Sequence, residues 1–129
     1  MPHVIVEYSA NIENEITPQR LVEEIHAAAI ASGIAEPVAV RTRLKRREHF
    51  RVGDGSPDNA FVHIDIRARK GRPLEQKKHA VQTIYDQANK TLDPVFKARP
   101  LALTVEIHEI DPETRLLRNG MRERQASAA

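Results

Sequence analysis

The chain has 129 residues, of which 40% are hydrophobic and 29% charged, and 20 basic residues stand against 18 acidic ones. This size and composition predict one soluble globular domain, and the near balance of charge argues against nucleic acid as a partner. Cysteine is absent from the sequence, which excludes disulfides and thiolate chemistry and fits a reducing compartment. We find neither an apolar run of membrane-spanning length nor the pattern of a signal peptide, and therefore expect a cytoplasmic protein with no membrane partner.

The first 52 residues predict a β-α-β unit. Residues 4–8, VIVEY, form a short apolar run that is typical of a strand. Thr17 and Pro18 predict the start of a helix, because threonine caps the first turn and proline fits the first helical position. Gly33 is placed to cap the end of that helix. Apolar residues recur between these points at helical spacing, namely Leu21, Val22, Ile25, Ala28 and Ala29. The returning strand is predicted to begin at Val38 and to continue through Phe50 and Val52.

Residues 59–110 repeat this design. They follow GDGSPDN, residues 53–59, which is the clearest loop in the chain. The alternating stretch 61–66 predicts a strand, and Gly71-Arg72-Pro73 separates it from a second helix. The stretch 101–110, LALTVEIHEI, predicts the last strand, and residues 111–129 are expected to be partly ordered at first and then to fray. The apolar face of the second helix is predicted to carry Leu74, Val81, Ile84, Tyr85, Ala88 and Leu92.

Two such units predict an α+β fold with a duplicated β-α-β arrangement in a single domain spanning residues 1–129. Placed side by side, they give a four-stranded sheet with both helices on one face. The predicted strands 4–8 and 101–110 are apolar enough to need cover on the other face as well. This favours a second subunit in a ring of cyclic symmetry, and a monomer whose sheet is covered by its own tail is the alternative.

The common catalytic signatures are missing from the sequence, including G-x-S-x-G, the P-loop and the glycine-rich dinucleotide fingerprint. His108-Glu109 begins like a zinc-protease motif, but residue 112 is proline. The six histidines are scattered, and none is paired at ligand spacing, so we predict no metal site. His63, on an alternating strand, is interpreted as a packed or surface residue.

Residues 41–51 contain a basic run that is either an anion or nucleic-acid site or a solvated strand edge protected against pairing. For most of its members we favour the strand edge, because no aromatic ladder accompanies them. Arg41 and Arg43 differ, since they directly follow an apolar stretch and share one face of the predicted strand. The run consists of Arg41, Arg43, Lys45, Arg46, Arg47 and Arg51.

Two further residues have both a structural and a chemical interpretation. Pro2 is either a tolerated first residue of a strand or, once Met1 is removed, a free secondary amine able to act in catalysis. Such an amine would need a lowered pKa to act near neutral pH, which partial burial and nearby arginines would provide. Arg72 is either an ordinary loop residue or an arginine aimed at an anion near a helix N-terminus.

Several stretches in this order and spacing resemble the tautomerase superfamily, and within it the 5-carboxymethyl-2-hydroxymuconate isomerase family. The resemblance runs from residue 1 to about residue 113. The basic stretch 45–47 departs from the family pattern, which is less charged and more aromatic there. The resembling stretches are MPH at the start, SGI at 32–34, VRTR at 40–43, AFVHI at 60–64, GRPLE at 71–75 and LALTVEI at 101–107.

This resemblance implies an enzyme that uses neither cofactor nor metal and assembles as a homotrimer. It implies that Pro2 is the catalytic base and acid and that Arg41 and Arg72 bind the substrate, a small polycarboxylate dienol of homoprotocatechuate (4-hydroxyphenylacetate) breakdown. Two alternatives stay open. One is a tautomerase for another 2-hydroxydienoate or enol acid, and the other is a non-enzymatic ferredoxin-like module that binds RNA or another acidic partner.

Overall fold

The computed structural model describes residues 2–128, which form one four-stranded sheet and four α-helices. The sheet order is β2-β1-β3-β4; β1 pairs with β2 in parallel and with β3 antiparallel, and β3 pairs with β4 in parallel. This mixed sheet confirms the predicted α+β fold. The strands are β1 (His3–Ser9), β2 (Arg41–Arg47), β3 (Ala60–Arg69) and β4 (Leu101–Ile110), and the helices are α1 (Pro18–Ala31), α2 (Leu74–Thr91), α3 (Asp93–Ala98) and α4 (Gly120–Ala128).

Helix α1 begins and ends as the sequence predicts. Thr17 Oγ1 accepts a hydrogen bond from the Arg20 backbone N–H at 3.2 Å, and Pro18 occupies the first helical position, where no amide donor is needed. Gly33 lies just beyond the helix with φ +71°, a conformation that glycine adopts without the steric cost of a side chain.

The two faces of the sheet have different compositions because strand side chains alternate. The covered face, which packs against α1 and α2, carries Val4 and Val6 of β1 and Ile64 of β3, all fully buried. The open face carries the alternate residues, and the register places His3 of β1 beside Arg41 of β2 and Arg67 of β3.

The expectation that apolar strand surface needs cover on the open face is wrong. The apolar side chains of β4 pack against the main core on the covered face; they are Leu101, Leu103, Val105 and Ile107. The open face of the same strand instead carries Thr104, Glu106 and His108. An apolar open face is therefore not a reason for this chain to form an oligomer.

The predicted start and end of the second strand are also wrong. Residues 37–39 form a short 3-10 helix, because Pro37 fixes its own φ and its carbonyl accepts the Val40 N–H at 3.2 Å. Val40 is buried there, outside the ladder, and β2 begins at Arg41. The strand ends at Arg47, and Phe50 beyond it packs edge-on against Phe61 with ring centroids 6.3 Å apart.

Two helical predictions need correction. Leu74 and Tyr85 were placed on the apolar face of α2, but they are 60% and 41% exposed, whereas Ile84 and Ala88 are buried. A helix turns by about 100° per residue, so Tyr85 is rotated away from the line of Ile84. The end of the tail, QASAA at 125–129, is expected to fray, but residues 125–128 of it belong to α4. Within residues 2–128 no helix is long and apolar enough to cross a membrane.

Candidate active site at the N-terminal end of the sheet

Pro2 is held against the sheet by β2. Its carbonyl oxygen accepts a hydrogen bond from the Arg41 N–H at 3.1 Å, one step before the His3–Arg41 pair that opens the parallel ladder. Pro2 is also buried. Because β1 is flanked by strands on both sides, the beginning of the chain is fixed in position beside Arg41.

A cavity of about 430 Å³ opens beside this end of β1, and we call it the basic cavity. It lies on the open face of the sheet, and its polar lining residues are histidine and arginine alone. Such a cavity attracts anions, and arginine in particular matches the geometry of carboxylates. The lining consists of His3, Arg41, Arg43, Arg67, Ile110, Arg115, Leu116 and Leu117.

His3 contributes a neutral imidazole to this cavity. Arg43 Nη1 lies 3.0 Å from His3 Nδ1, and because arginine can only donate, Nδ1 is the acceptor and the ring proton lies on Nε2. Burial lowers the pKa of His3 below its usual value, and the charges of Arg43 and Arg41 lower this pKa further. No sequence signal indicates a role for His3, because its contact with Arg43 depends on the β1–β2 register.

Arg72 lies in a second cavity of about 380 Å³, which we call the adjacent cavity. Its Nε donates to the Ile34 carbonyl at 2.7 Å and its Nη1 to the Arg69 carbonyl at 2.8 Å, which fixes the guanidinium. These bonds use two of its five N–H donors. Burial lowers the pKa of Arg72, and the nearby charge of Arg69 acts in the same direction. The adjacent cavity is lined by Ala35, Glu36, Ala39, Arg69, Arg72, Arg115, Leu117 and Arg122.

The sequence-predicted site residues therefore occupy neighbouring positions. Pro2 and Arg41 are joined by a backbone hydrogen bond, and Arg41 lines the basic cavity while Arg72 lines the adjacent cavity. The two cavities share Arg115 and Leu117, which follow β4 in the chain. No motif in the sequence marked Arg115, since its position depends on how residues 111–119 fold back over the sheet.

Lys45, Arg46 and Arg47 lie on the edge strand β2, as the strand-edge interpretation predicts, whereas Arg51 lies beyond the end of the strand. Arg46 donates to Glu13 at 2.9 Å, and it also pairs with Glu48. Arg47 donates to Glu7 at 2.6 Å. Glu48 is the one acidic residue within the run, and Glu7 and Glu13 are further acidic partners that the strand pairing and the following turn bring to it.

A separate charged network covers the β3–β4 side of the open face. His63 and His108 both contact Glu106, with His108 Nε2 2.6 Å from Glu106 Oε2. Arg67 Nε donates to Asp65 at 2.9 Å. Hydrogen bonds from the two histidines lower the pKa of Glu106. Across the described residues, no three His, Asp or Glu side chains are arranged to hold a metal ion.

Comparison with known proteins gives one family for nearly the whole chain. The family model for 5-carboxymethyl-2-hydroxymuconate isomerase matches residues 2–125. A relative from Escherichia coli, named 5-carboxymethyl-2-hydroxymuconate Delta-isomerase, is 30% identical over 121 residues, which cover 94% of this chain and 96% of the relative.

Solved structures with related names share the fold. A 5-carboxymethyl-2-hydroxymuconate isomerase from Deinococcus radiodurans R1 is 25% identical, with a TM-score of 0.85 and coverage of 96% of this chain and 93% of that one. A 5-carboxymethyl-2-hydroxymuconate delta-isomerase gives a TM-score of 0.88 at 20% identity, over 98% of this chain and 93% of that one.

More distant tautomerase-like structures include one described as a fused 4-OT symmetric trimer, with a TM-score of 0.60 at 19% identity over 91% of this chain and 92% of that one. The prediction of an isomerase is confirmed, and the non-enzymatic binding module is wrong. The family model and the bacterial relative each span nearly the whole chain. This chain therefore belongs to the 5-carboxymethyl-2-hydroxymuconate isomerase family.

Proposed function

We propose that the protein converts 5-carboxymethyl-2-hydroxymuconate, a dienol with three carboxylates, to its conjugated keto isomer in homoprotocatechuate breakdown, without cofactor or metal. The observation that carries this proposal is the basic cavity next to Pro2, whose polar lining is histidine and arginine alone. A polyanionic substrate matches this charge, and the family to which the chain belongs bears the name of this substrate. Another 2-hydroxydienoate or enol acid is the second candidate substrate.

In this proposal Pro2 acts after Met1 has been removed. While Met1 is attached, the Pro2 nitrogen is an amide whose lone pair is delocalised and cannot accept a proton. As a free secondary amine it can accept a proton, and the proposal requires that its burial and the arginines of the neighbouring cavity favour the neutral form. A base with a pKa near the working pH can both take and return a proton, so one residue serves as base and then as acid.

The proposed reaction moves one proton and two double bonds. The Pro2 nitrogen takes the proton of the 2-hydroxyl, and the enol oxygen becomes a carbonyl. The electrons shift along the carbon skeleton of the substrate, so that its two original carbon–carbon double bonds are replaced by one new double bond between them. The protonated Pro2 then delivers its proton to the far carbon of the original diene, forming a C–H bond. Arg41 and Arg72 hold substrate carboxylates, and the positive cavity stabilises the negative charge that develops on the enolate oxygen.

The assembly belongs to the same proposal. We expect a homotrimer, supported by the structural likeness to the fused 4-OT symmetric trimer. The edge strands β2 and β4 are each paired on one side only within this chain, which leaves backbone groups available to a neighbouring subunit.

The test is a matched pair of proteins that differ only at the N-terminus. One is released from a cleavable tag so that Pro2 is the first residue, and the other keeps a short uncleaved extension. Because general acid–base catalysis contributes roughly 10²- to 10⁴-fold, we expect the extended protein to lose at least about 100-fold in kcat. Ultraviolet absorbance of the dienol measures the rate, and intact mass establishes both N-termini.

Equal circular dichroism and equal Tm in the two proteins show that the extension spares the fold. Full activity in a protein whose mass retains the extension would rule out Pro2 as the base. If the protein with free Pro2 is inactive on this substrate but isomerises another 2-hydroxydienoate, the second candidate substrate is correct.

A further inference from the structure

The segment between β4 and α4, residues 111–119, is fixed at both ends. At its start the Asp111 carboxylate accepts the Glu113 N–H at 2.9 Å. At its end Asn119 is only 8% exposed, donates to the Val38 carbonyl at 2.9 Å and accepts the Met121 N–H at 3.0 Å. Arg122, just beyond, pairs with Glu36 at 3.1 Å. The segment is therefore held in a defined path across the two cavities.

Arg115 lies between these anchors with a buried donor that has no partner. Its Nε is inaccessible to solvent and makes no hydrogen bond to any of residues 2–128. A buried, unpaired donor on a charged group is costly, so such a group is normally found with an acceptor. Because Nε is enclosed, an anion bound in either cavity meets the Nη donors of the same guanidinium.

The surroundings of Arg115 strengthen this interpretation. In the basic cavity it lies with Arg41, Arg43 and Arg67. In the adjacent cavity it lies with Arg69 and Arg72, and the single acidic lining residue, Glu36, is paired with Arg122. Arg115 is partly exposed, and although Arg67 is paired with Asp65, the remaining like charges around it repel one another, which a bound polyanion relieves.

We infer that Arg115 is a third carboxylate-binding residue, which holds the branch carboxylate of the substrate and thereby selects tricarboxylates over dicarboxylates. The inference rests on the proposed function and deepens it. Arg41 and Arg72 line different cavities, and Arg115 belongs to both. A linear dicarboxylate has one carboxylate for Arg41 and one for Arg72. The branched tricarboxylate has a further carboxylate beside one of its ends, and Arg115, which lines both cavities, is available to bind it.

The experiment compares Arg115→Ala with Arg118→Ala in protein that begins at Pro2. Arg118 is a matched control, since it comes from the same segment but is exposed and pairs with Glu123 at 2.9 Å on the surface. The substrates are 5-carboxymethyl-2-hydroxymuconate and 2-hydroxymuconate, which lacks the branch. A hydrogen bond to a charged group corresponds to a roughly 10- to 100-fold change in binding.

We expect Arg115→Ala to lower kcat/KM by about that factor for the tricarboxylate and by less than about threefold for the dicarboxylate. Arg118→Ala should change neither. Arg115→Lys keeps the charge but loses the planar guanidinium, so we expect an intermediate loss of kcat/KM for the tricarboxylate alone. This variant replaces Arg115→Ala in the test if the alanine variant fails to fold.

Calorimetry with tricarballylate and glutarate, a tricarboxylate and a dicarboxylate of similar length, provides a readout that needs no turnover. The unmodified site should prefer tricarballylate, and Arg115→Ala should abolish that preference. Equal losses on both substrates, no loss on either, or an unchanged preference would each overturn the assignment. Inactivity of the protein with free Pro2 on every dienol would overturn the proposed function, while the calorimetric result would still decide the role of Arg115.

Discussion

The covered and open faces of the sheet are built from the same strands, yet they are stabilised differently. On the covered face, Val6 and Ile64 are register partners, and both are completely buried under the helices. On the open face, the neighbouring pair is Glu7 and His63, which are partly exposed and contact Arg47 and Glu106. The difference teaches that one face determines whether the chain folds, whereas the other can carry charge for binding at little cost to stability.

The largest test of this comparison removes apolar volume from the covered face. Ile64 is fully buried at the centre of the sheet. We expect Ile64→Ala to lower the free energy of unfolding by about 2–5 kcal/mol, because it removes buried methyl groups and leaves a cavity. Thr104→Ala, on the exposed side of the neighbouring strand, should change it by less than about 0.5 kcal/mol. Equal losses in urea denaturation would contradict the comparison.

A second test compares two ion pairs of different exposure. Arg99 donates to both carboxylate oxygens of Glu15 at 2.6 and 3.0 Å, and the two side chains are only 12% and 15% exposed. We expect Arg99→Ala to cost about 1–3 kcal/mol, since it leaves the partly buried Glu15 without its partner. Arg47→Ala, which removes the Glu7 pair on the open face, should cost less than about 0.5 kcal/mol.

Thermal unfolding of both arginine variants, of the matching Glu15→Gln and Glu7→Gln variants and of the two double variants measures the two coupling energies. A larger coupling for the exposed Arg47–Glu7 pair would mean that solvent exposure does not weaken the charge pairs of the open face.

The smallest expected effect is a pH dependence from His3. Its pKa is lowered in the folded chain by burial and by Arg43 and Arg41, so the unfolded chain binds the proton more readily. The contribution of His3 to stability is therefore complete above the unfolded pKa of about 6.5 and is lost as pH falls through the folded pKa. We expect His3→Gln to flatten the fall in Tm below pH 6.5, measured against the unmodified protein. An unchanged pH profile would contradict this.

The sequence predicted the ends of a helix correctly where they depend on neighbouring residues alone. Thr17, Pro18 and Gly33 bound α1 because capping and backbone conformation depend on a few neighbouring residues. The same reasoning failed for residues 38–40, whose apolar, β-branched composition indicated a strand. There Pro37 and the burial of Val40 favoured a helical turn, and hydrophobicity alone does not distinguish the two.

The candidate site was predicted in part, for a similar reason. Arg41 lies within the predicted second strand, and its role beside Pro2 was given by the family resemblance rather than by the order of elements. The place of His3 in the site could be seen only from the register between β1 and β2. The place of Arg115 in the site could be seen only from the path of residues 111–119. That path depends on long-range hydrogen bonds such as the one from Asn119 to the Val38 carbonyl, 81 positions away in the sequence.

The amino-acid sequence by itself determined the duplicated β-α-β order, the family and the candidate roles of Pro2, Arg41 and Arg72, because these depend on local patterns and on motifs in a set order. Only the tertiary structure decided that the open face is charged, that the two arginines line separate cavities and that Arg115 joins them. The strand register and the path of residues 111–119 depend on contacts between residues far apart in the sequence, and these contacts are decided by the free energy of the whole packed chain.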